Sequence, residues 1–70
     1  MKITDSKSLG AAIRARRKGL NYTQVFIADF TGLSASFISD VERGKPTAEI
    51  EKIILLVNIL GMDLLVEKRG

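Results

Sequence analysis

Hydrophobic residues recur along this 70-residue chain with the spacing of short α-helices. Apolar side chains three and four positions apart lie on one face of a helix and predict an amphipathic segment. Four such segments are separated by breaks that contain glycine: KSLGAAIRARRKG, QVFIADF, ASFISDVER and AEIEKIILLVNIL. The pattern therefore predicts an all-α fold.

Each predicted helix has a residue that can cap its start and a glycine that can end it. A capping side chain accepts a hydrogen bond from a free N–H of the first turn. The candidate caps are Asp5 or Ser6, Thr23, Ser34 and Thr47, and the candidate stops are Gly19, Gly32, Gly44 and Gly61. We expect Gly19 and Gly32 to adopt the left-handed conformation, and the helix after Thr47 to be the longest.

The apolar residues of the second and fourth helices predict where these helices are buried. In the second helix we expect apolar contacts from Val25, Ala28 and the Phe26–Phe30 pair. The fourth helix has one apolar face and a partial second one. The first comprises Ile50, Ile53, Ile54, Val57 and Leu60, and the second comprises Leu56 and Ile59. Two-sided apolarity suggests that a second subunit covers part of this helix, although burial in a small core accounts for most of it.

The C-terminal residues DLLVEKRG have a different pattern. Leu64, Leu65 and Val66 between polar ends predict a short β-strand. A lone strand leaves its backbone groups unpaired, and the one other candidate strand, Lys2 to Thr4, is very short. The same strand of a second copy, running antiparallel, is the more economical partner. The candidate dimerisation residues are therefore Leu64, Leu65 and Val66 of the strand, together with Ile59 from the second apolar face of the fourth helix. A frayed tail is the alternative.

Length and composition restrict the protein to one small domain that is not expected to be an enzyme. A chain this short buries about 60% of its unfolded surface, so oligomerisation is a common remedy. It has no Cys and no His, which removes disulfides, the usual zinc ligands and the commonest general base. We expect no cofactor and no metal site.

The distribution of charge is more informative than its sum, which for most small proteins would indicate only solubility. The net charge is +3, and basic residues concentrate in two places. Arg14, Arg16, Arg17 and Lys18 form one group, and Arg43 and Lys45 flank Gly44. The longest apolar run, IILLV, is too short to span a bilayer, and the N-terminus lacks the apolar core of a signal peptide. We expect a cytoplasmic protein without a membrane partner.

The segment TGLSASFIS, residues 31–39, joins two helices that are each marginal alone. A steep turn needs positive φ at Gly32, an apolar anchor at Leu33 and a cap at Ser34. A close crossing needs a small residue on the first helix, and Ala28 lies four positions before Gly32. These features predict a helix-turn-helix over residues 23–43, whose second helix fits the major groove of DNA.

From Thr23 to Pro46 the chain resembles the phage-repressor and Cro-like helix-turn-helix family, called the XRE family. The marks are Gln24, Ala28, Gly32, Leu33, Ile38, Val41 and the run from Glu42 to Lys45. Within the family the chain is most similar to HipB-like antitoxins. The resemblance implies a four- to five-helix, lambda-repressor-like DNA-binding domain over residues 1–61, with a dimerisation strand or tail over 62–70.

The resemblance also implies roles for individual residues. Gln24 would bind a DNA phosphate, and Arg43 and Lys45 would meet the backbone. The groove-facing positions of the third helix would be Ala35, Ser36, Ser39 and Asp40. Arg17 would pair with Glu42 as a structural ion pair. Solvent exposure is the alternative for Gln24 and for the remaining basic residues of the first helix.

Two groove positions depart from the pattern of many relatives, which carry Gln or Arg at Ala35 and a basic or amide residue at Asp40. Alanine can contact a thymine methyl group, and aspartate can accept from a cytosine amino group, although phosphates repel it. The expected function is a homodimeric repressor on a palindromic operator in double-stranded DNA. The alternative is an antitoxin that neutralises a HipA-like kinase toxin and represses its own operon.

Overall fold

A computed structural model describes residues 2–70, and these residues form four helices. Their bounds are α1 Ser6–Gly19, α2 Gln24–Thr31, α3 Ala35–Glu42 and α4 Ile50–Ile59. The predicted all-α class is confirmed. Met1, the first residue of the predicted domain, lies outside the described residues.

Three of the predicted helix starts are confirmed by their capping hydrogen bonds. The Asp5 carboxylate accepts from the Ser8 N–H at 2.7 Å, and the Ser8 hydroxyl oxygen accepts in return from the Asp5 N–H at 3.1 Å. This reciprocal pair is a capping box, and it satisfies two donors that a helix start otherwise leaves free. Thr23 and Ser34 cap α2 and α3 through their side-chain oxygens.

Three predictions about helix ends are wrong. Gly19 is the last residue of α1, Leu20 caps the end in a right-handed conformation, and the left-handed residue is Asn21, at φ 62°. Asparagine tolerates this region because its short polar side chain bonds locally. Thr47 does not cap α4, because residues 46–48 form a turn and a bend and Glu49 is the N-cap, without a side-chain hydrogen bond. The longest helix is therefore α1, with 14 residues, and not α4, with 10.

One apolar core joins all four helices. Its fully or nearly fully buried members are Ile13, Ile27, Ile38, Val41, Ile53, Leu56, Val57 and Leu60. Leu56, which we placed on a second face, lies in this core, while Ile50 is largely exposed. The buried face of α4 is thus rotated from the predicted one and consists of Ile53, Leu56, Val57 and Leu60, which lie three, four and seven positions apart.

The predicted apolar contacts of α2 are confirmed for Ala28, which packs against the core, and for Phe26 and Phe30, whose rings stack on each other, but the helix buries a residue that was not among them. Ile27 is the buried residue of this helix, and Ala28 packs against the core. Val25, Phe26 and Phe30 point outward and are 62%, 49% and 70% exposed. Apolar residues surround nearly the whole of α2, so their spacing alone does not identify the buried side.

The predicted strand at residues 64–66 is not formed within the described chain, where residues 62–70 follow an irregular path. Met62 still packs against the core, and its N–H donates to the Val57 carbonyl at 3.1 Å. Leu65 and Val66 are 77% and 98% exposed. Pairing with a second copy, where the prediction placed the partner strand, stays a prediction. None of the four helices is long and apolar enough to cross a membrane.

Candidate functional site

The turn between α2 and α3 is built by local hydrogen bonds. Gly32 is left-handed, at φ 80°, and its N–H donates to the Ala28 carbonyl at 2.9 Å. The Thr31 hydroxyl donates to the Ile27 carbonyl and accepts from the Leu33 N–H. Ser34 then caps α3. Residues 32–34 therefore turn the chain tightly enough for α3 to pack directly on α2.

Gly10 lets α1 approach the end of α3, a role that the sequence analysis did not recognise. A Cβ atom at Gly10 would overlap the Val41 carbonyl oxygen and lie 2.9 Å from that of Glu42. Both atoms belong to the backbone of α3, which cannot rotate away as a side chain can. A glycine inside a helical pattern was the available signal, because it carries a cost unless close packing requires it.

Arg17, Glu42 and Gln24 form a buried polar network behind the helix-turn-helix. Two Arg17 nitrogens donate to the two Glu42 oxygens at 2.7 and 2.9 Å, and the side chains are 9% and 2% exposed. A third Arg17 nitrogen donates to the Tyr22 carbonyl at 2.8 Å, and the Gln24 amide donates to Glu42 Oε1 at 3.1 Å. The network ties α1 and the start of α2 to the end of α3.

The network shifts the ionisation of both charged members. Burial by itself raises the pKa of Glu42, but hydrogen bonds from Arg17 and Gln24 and the charges of Arg17 and Arg14 outweigh it, so that the pKa is lowered. The hydrogen bond to Glu42 raises the pKa of Arg17 against the effect of burial. Both groups therefore stay charged at neutral pH. Gln24 donates one amide N–H to Glu42, and its second amide N–H is available to another acceptor.

The outer face of α3 carries small side chains at its N-terminal end. Ser36 is exposed, and Ala35 and Ser39 are half-buried. Phe37 packs against the core edge, with the Lys52 ammonium 5.8 Å from the centre of its ring. Small side chains let another surface come close to the α3 backbone, and a free hydroxyl can donate or accept there.

Asp40, Arg43 and Lys45 form an ion cluster at the end of α3. Asp40 Oδ1 lies 2.7 Å from Arg43 Nη2, and Oδ2 lies 3.5 Å from Lys45 Nζ. The two cationic side chains are more than half exposed, and the carboxylate is less so. The structure thus brings together three predicted site residues, and it places both oxygens of Asp40 against cations.

The basic residues Arg14, Arg16 and Lys18 of α1 are not part of this ion cluster. Arg16 Nε donates to the Leu60 carbonyl at 2.8 Å and so binds the end of α4, while Arg14 and Lys18 are exposed. Within residues 2–70 there is no group of three or more acidic residues that could hold a metal ion. The chemistry available at the face is hydrogen bonding, charge pairing and close apolar contact.

A second exposed feature is an aromatic ridge formed by Tyr22, just before α2, and by Phe26 and Phe30 on α2. The rings of Tyr22 and Phe26 stack with centroids 4.9 Å apart, and those of Phe26 and Phe30 are 6.4 Å apart. The ridge points away from the core of residues 2–70. The expected contact between Phe26 and Phe30 is part of this ridge.

Comparison with known proteins identifies the arrangement. Residues 13–66 match a family model described as helix-turn-helix. The chain is 36% identical over 63 residues to the uncharacterized HTH-type transcriptional regulator y4mF of Sinorhizobium fredii, a match that spans 90% of this chain and 83% of that protein. It is 34% identical over 58 residues to the ImmF control region 10 kDa protein of Bacillus phage phi105, covering 79% of this chain and 64% of the phage protein.

Two solved structures share the fold over the whole chain. One is a HipB–O4 20mer complex, with a TM-score of 0.90 and 18% identity, covering 100% of this chain and 99% of the HipB chain. The other is a complex of a HipB variant with an O2 20mer, with a TM-score of 0.90 at the same identity, covering 97% of the HipB chain. At this identity the likeness shows the fold alone.

Proposed function

Because the chain belongs to the XRE-type helix-turn-helix family, we propose that it acts as a homodimeric repressor of a palindromic operator. The chain is a DNA-binding transcriptional regulator, and the proposal concerns how it engages DNA. Two copies would insert their α3 helices into successive major grooves, about 34 Å apart. The observation that carries the proposal is the outer face of α3, where small side chains precede a cluster with two exposed cations.

In this proposal the small side chains of α3, Ala35, Ser36 and Ser39, meet the bases. Ala35 would contact a thymine methyl group, and the hydroxyls of Ser36 and Ser39 would hydrogen-bond base edges or phosphates. These short side chains read few bases by paired hydrogen bonds. We infer that much of the specificity comes from the spacing of the two half-sites and from DNA shape.

Backbone contacts would come from residues at either end of the helix-turn-helix. Gln24 has one amide N–H free for a phosphate while Glu42 holds the other. Arg43 and Lys45 would reach phosphates beyond the end of α3. Contacts of this kind fix the position of a protein on the duplex and make its affinity depend on salt.

The dimer in the proposal uses the C-terminal segment. Leu64, Leu65 and Val66 are exposed in the single chain. Ile59, at the end of α4, is half-buried. Antiparallel pairing of residues 64–66 between two copies would satisfy the backbone groups of both strands and cover these side chains. A fixed dimer also sets the distance between the two α3 helices.

The test is a titration of labelled DNA from upstream of the protein's own gene, with a scrambled duplex as the control, at two salt concentrations. The expected result is tight binding that prefers the upstream sequence and weakens steeply as salt increases. Equal weak binding to both duplexes would contradict a repressor of its own gene.

The second candidate function is a HipB-like antitoxin that binds a HipA-like kinase toxin. The full-length fold match to HipB favours it, and the aromatic ridge is an exposed apolar surface outside the DNA contacts proposed above. The test is co-purification with a kinase-like protein encoded next to this gene, followed by an assay of kinase inhibition. A kinase that neither co-purifies nor loses activity would overturn this candidate.

A further inference from the structure

We propose that Asp40 is an internal counter-ion that competes with DNA phosphates for Arg43 and Lys45. The inference rests on the proposed function, since it assumes that these two cations face the DNA backbone. It assigns a restraining role to a residue that was expected to face the groove. Its consequence is a limit on sequence-independent binding.

The backbone after α3 sets the position of the cluster. The Lys45 N–H donates to the Asp40 carbonyl at 3.0 Å, and the Gly44 N–H donates to the Val41 carbonyl at 2.9 Å. Gly44 adopts positive φ, 85°, and turns the chain back over the end of the helix. Lys45 is therefore held beside Asp40 by main-chain bonds and does not depend on side-chain attraction alone.

The carboxylate is occupied on both sides. Oδ1 accepts from Arg43 at 2.7 Å, and Oδ2 faces Lys45 at 3.5 Å. Among the ion pairs of residues 2–70, this is the one in which a single carboxylate faces two cations. Such an arrangement leaves no oxygen free of a cation to accept from a cytosine amino group.

The cluster alters the electrostatic part of DNA binding. Sequence-independent affinity comes almost entirely from cations that neutralise phosphates and release counterions. Asp40, Arg43 and Lys45 together carry a net charge of +1 and attract a phosphate less than two free cations do. A phosphate that binds here must either displace the Asp40 carboxylate from the cations or bind against its repulsion. Arg43 and Lys45 together should therefore contribute less to the salt dependence than two full phosphate contacts.

The first experiment measures binding to a scrambled duplex, so that no operator needs to be known. Asp40→Asn removes the counter-ion, and Asp40→Glu keeps it. Asp29→Asn is the matched control, because Asp29 is an exposed carboxylate on α2 without an ion pair among the described residues. Fluorescence anisotropy at several salt concentrations gives both the affinity and its salt slope.

We expect Asp40→Asn to bind the scrambled duplex about three- to tenfold more tightly at low salt, with a salt slope steeper by up to about one unit. Asp29→Asn should change the affinity by less than about twofold, since a distant exposed charge is largely screened. Asp40→Glu should stay close to the wild type. Circular dichroism and thermal melting verify that each variant is folded.

A second measurement tests whether Asp40 acts through Lys45. Lys45→Ala should flatten the salt slope by less than about 0.9 unit in the wild type, and by about 0.9 unit in the Asp40→Asn background. Equal changes in the two backgrounds would overturn the coupling. A purely structural role of Asp40 would change the melting temperature without this dependence on background.

The outcomes separate the inference from the proposed function. An Asp40→Asn protein that behaves like Asp29→Asn, or that binds more weakly than the wild type, overturns the counter-ion role. A wild-type protein that binds neither the scrambled nor the upstream duplex overturns the proposed function and the inference together. A wild type that prefers the upstream duplex, with an unchanged Asp40→Asn variant, overturns the inference alone.

Discussion

The buried Glu42 carboxylate accepts three hydrogen bonds, two from Arg17 on α1 and one from Gln24 on α2. A buried ion pair is neutral or weakly stabilising as a pair, yet the loss of one partner is costly since the other charge stays buried. The pairing of Arg17 with Glu42 follows from family resemblance. The participation of Gln24 was not foreseen, because it requires the start of α2 to lie against the end of α3.

The lowered pKa of Glu42 predicts acid sensitivity. A carboxyl group whose pKa is lower in the folded state contributes stability above its unfolded pKa, about 4.3, and loses it as the pH falls through the folded pKa. The free energy of unfolding should therefore decrease below about pH 4.3. Urea denaturation between pH 2.5 and 7 would measure it.

Glu42→Gln isolates this contribution. We expect the variant to be less stable by about 3 kcal/mol at pH 7, because Arg17 remains buried without a counter-charge. Its stability should also depend less on pH than that of the wild type. Asp5, whose pKa is lowered by the Ser8 N–H and hydroxyl, is present in both proteins and cancels in the difference. Parallel pH curves would contradict the assignment.

Substitution of Ser36 tests whether the exposed side of α3 faces the major groove of DNA. Ser36→Arg places a long cation on an exposed position of α3 and should change or abolish the preference for the native site while the fold stays intact. Ala11→Arg on the exposed side of α1 adds the same charge away from α3 and serves as the control. Competition binding with the upstream and scrambled duplexes would measure the preference. An unchanged preference would mean that α3 presents a different face.

At the scale of elements, the helix starts and the turn were predictable because their determinants are local. A capping side chain and its N–H lie three residues apart, and Gly32 supplies its own positive φ. The start of α4 was not predictable in this way, because Glu49 begins the helix without a side-chain cap. The turn and bend over residues 46–48, and not a capping side chain, lead into this helix.

The crossing of α1 and α3 predicts a large effect of a single methyl group. Gly10→Ala should destabilise the fold by about 1–3 kcal/mol or more, since the added Cβ meets the α3 backbone. Gly19→Ala on the same helix has open space around it and should be neutral or slightly stabilising. Chemical denaturation of both variants gives the comparison. Equal stabilities would mean that α1 is free to shift.

At the scale of the whole molecule, the C-terminal segment leaves more apolar surface exposed than a small monomer needs. A groove of about 340 Å³ lies between α1, α4 and this segment, lined by Ile3, Leu9, Ala12, Ile13, Val57, Met62, Asp63 and Leu64. Exposed apolar side chains beside such a groove are typical of an interaction surface. This supports placing the dimer contact here.

A test of the dimer contact by deletion has to keep Met62, because this residue packs against the core. Deleting residues 64–70 keeps that contact. We expect this deletion to convert a dimer to a monomer and to weaken binding to a palindromic site at least tenfold. Sedimentation measures the mass, and circular dichroism confirms the helices. Leu65→Asp is the point-mutant counterpart, and a dimer that survives both changes would contradict the exchange of strands.

The class of fold, the caps of the first three helices, the turn at Gly32 and the family could all be read from the order of residues. Each of these leaves a signal within a short stretch of the chain. The packing of the helices, in contrast, makes α2 bury Ile27 and expose Phe26 and Phe30, because apolar residues occupy nearly every side of that helix. Packing and chain path also bring Gly10 against α3 and Asp40 against two cations. These arrangements depend on how helices cross and where the chain turns back, and no short-range spacing specifies them.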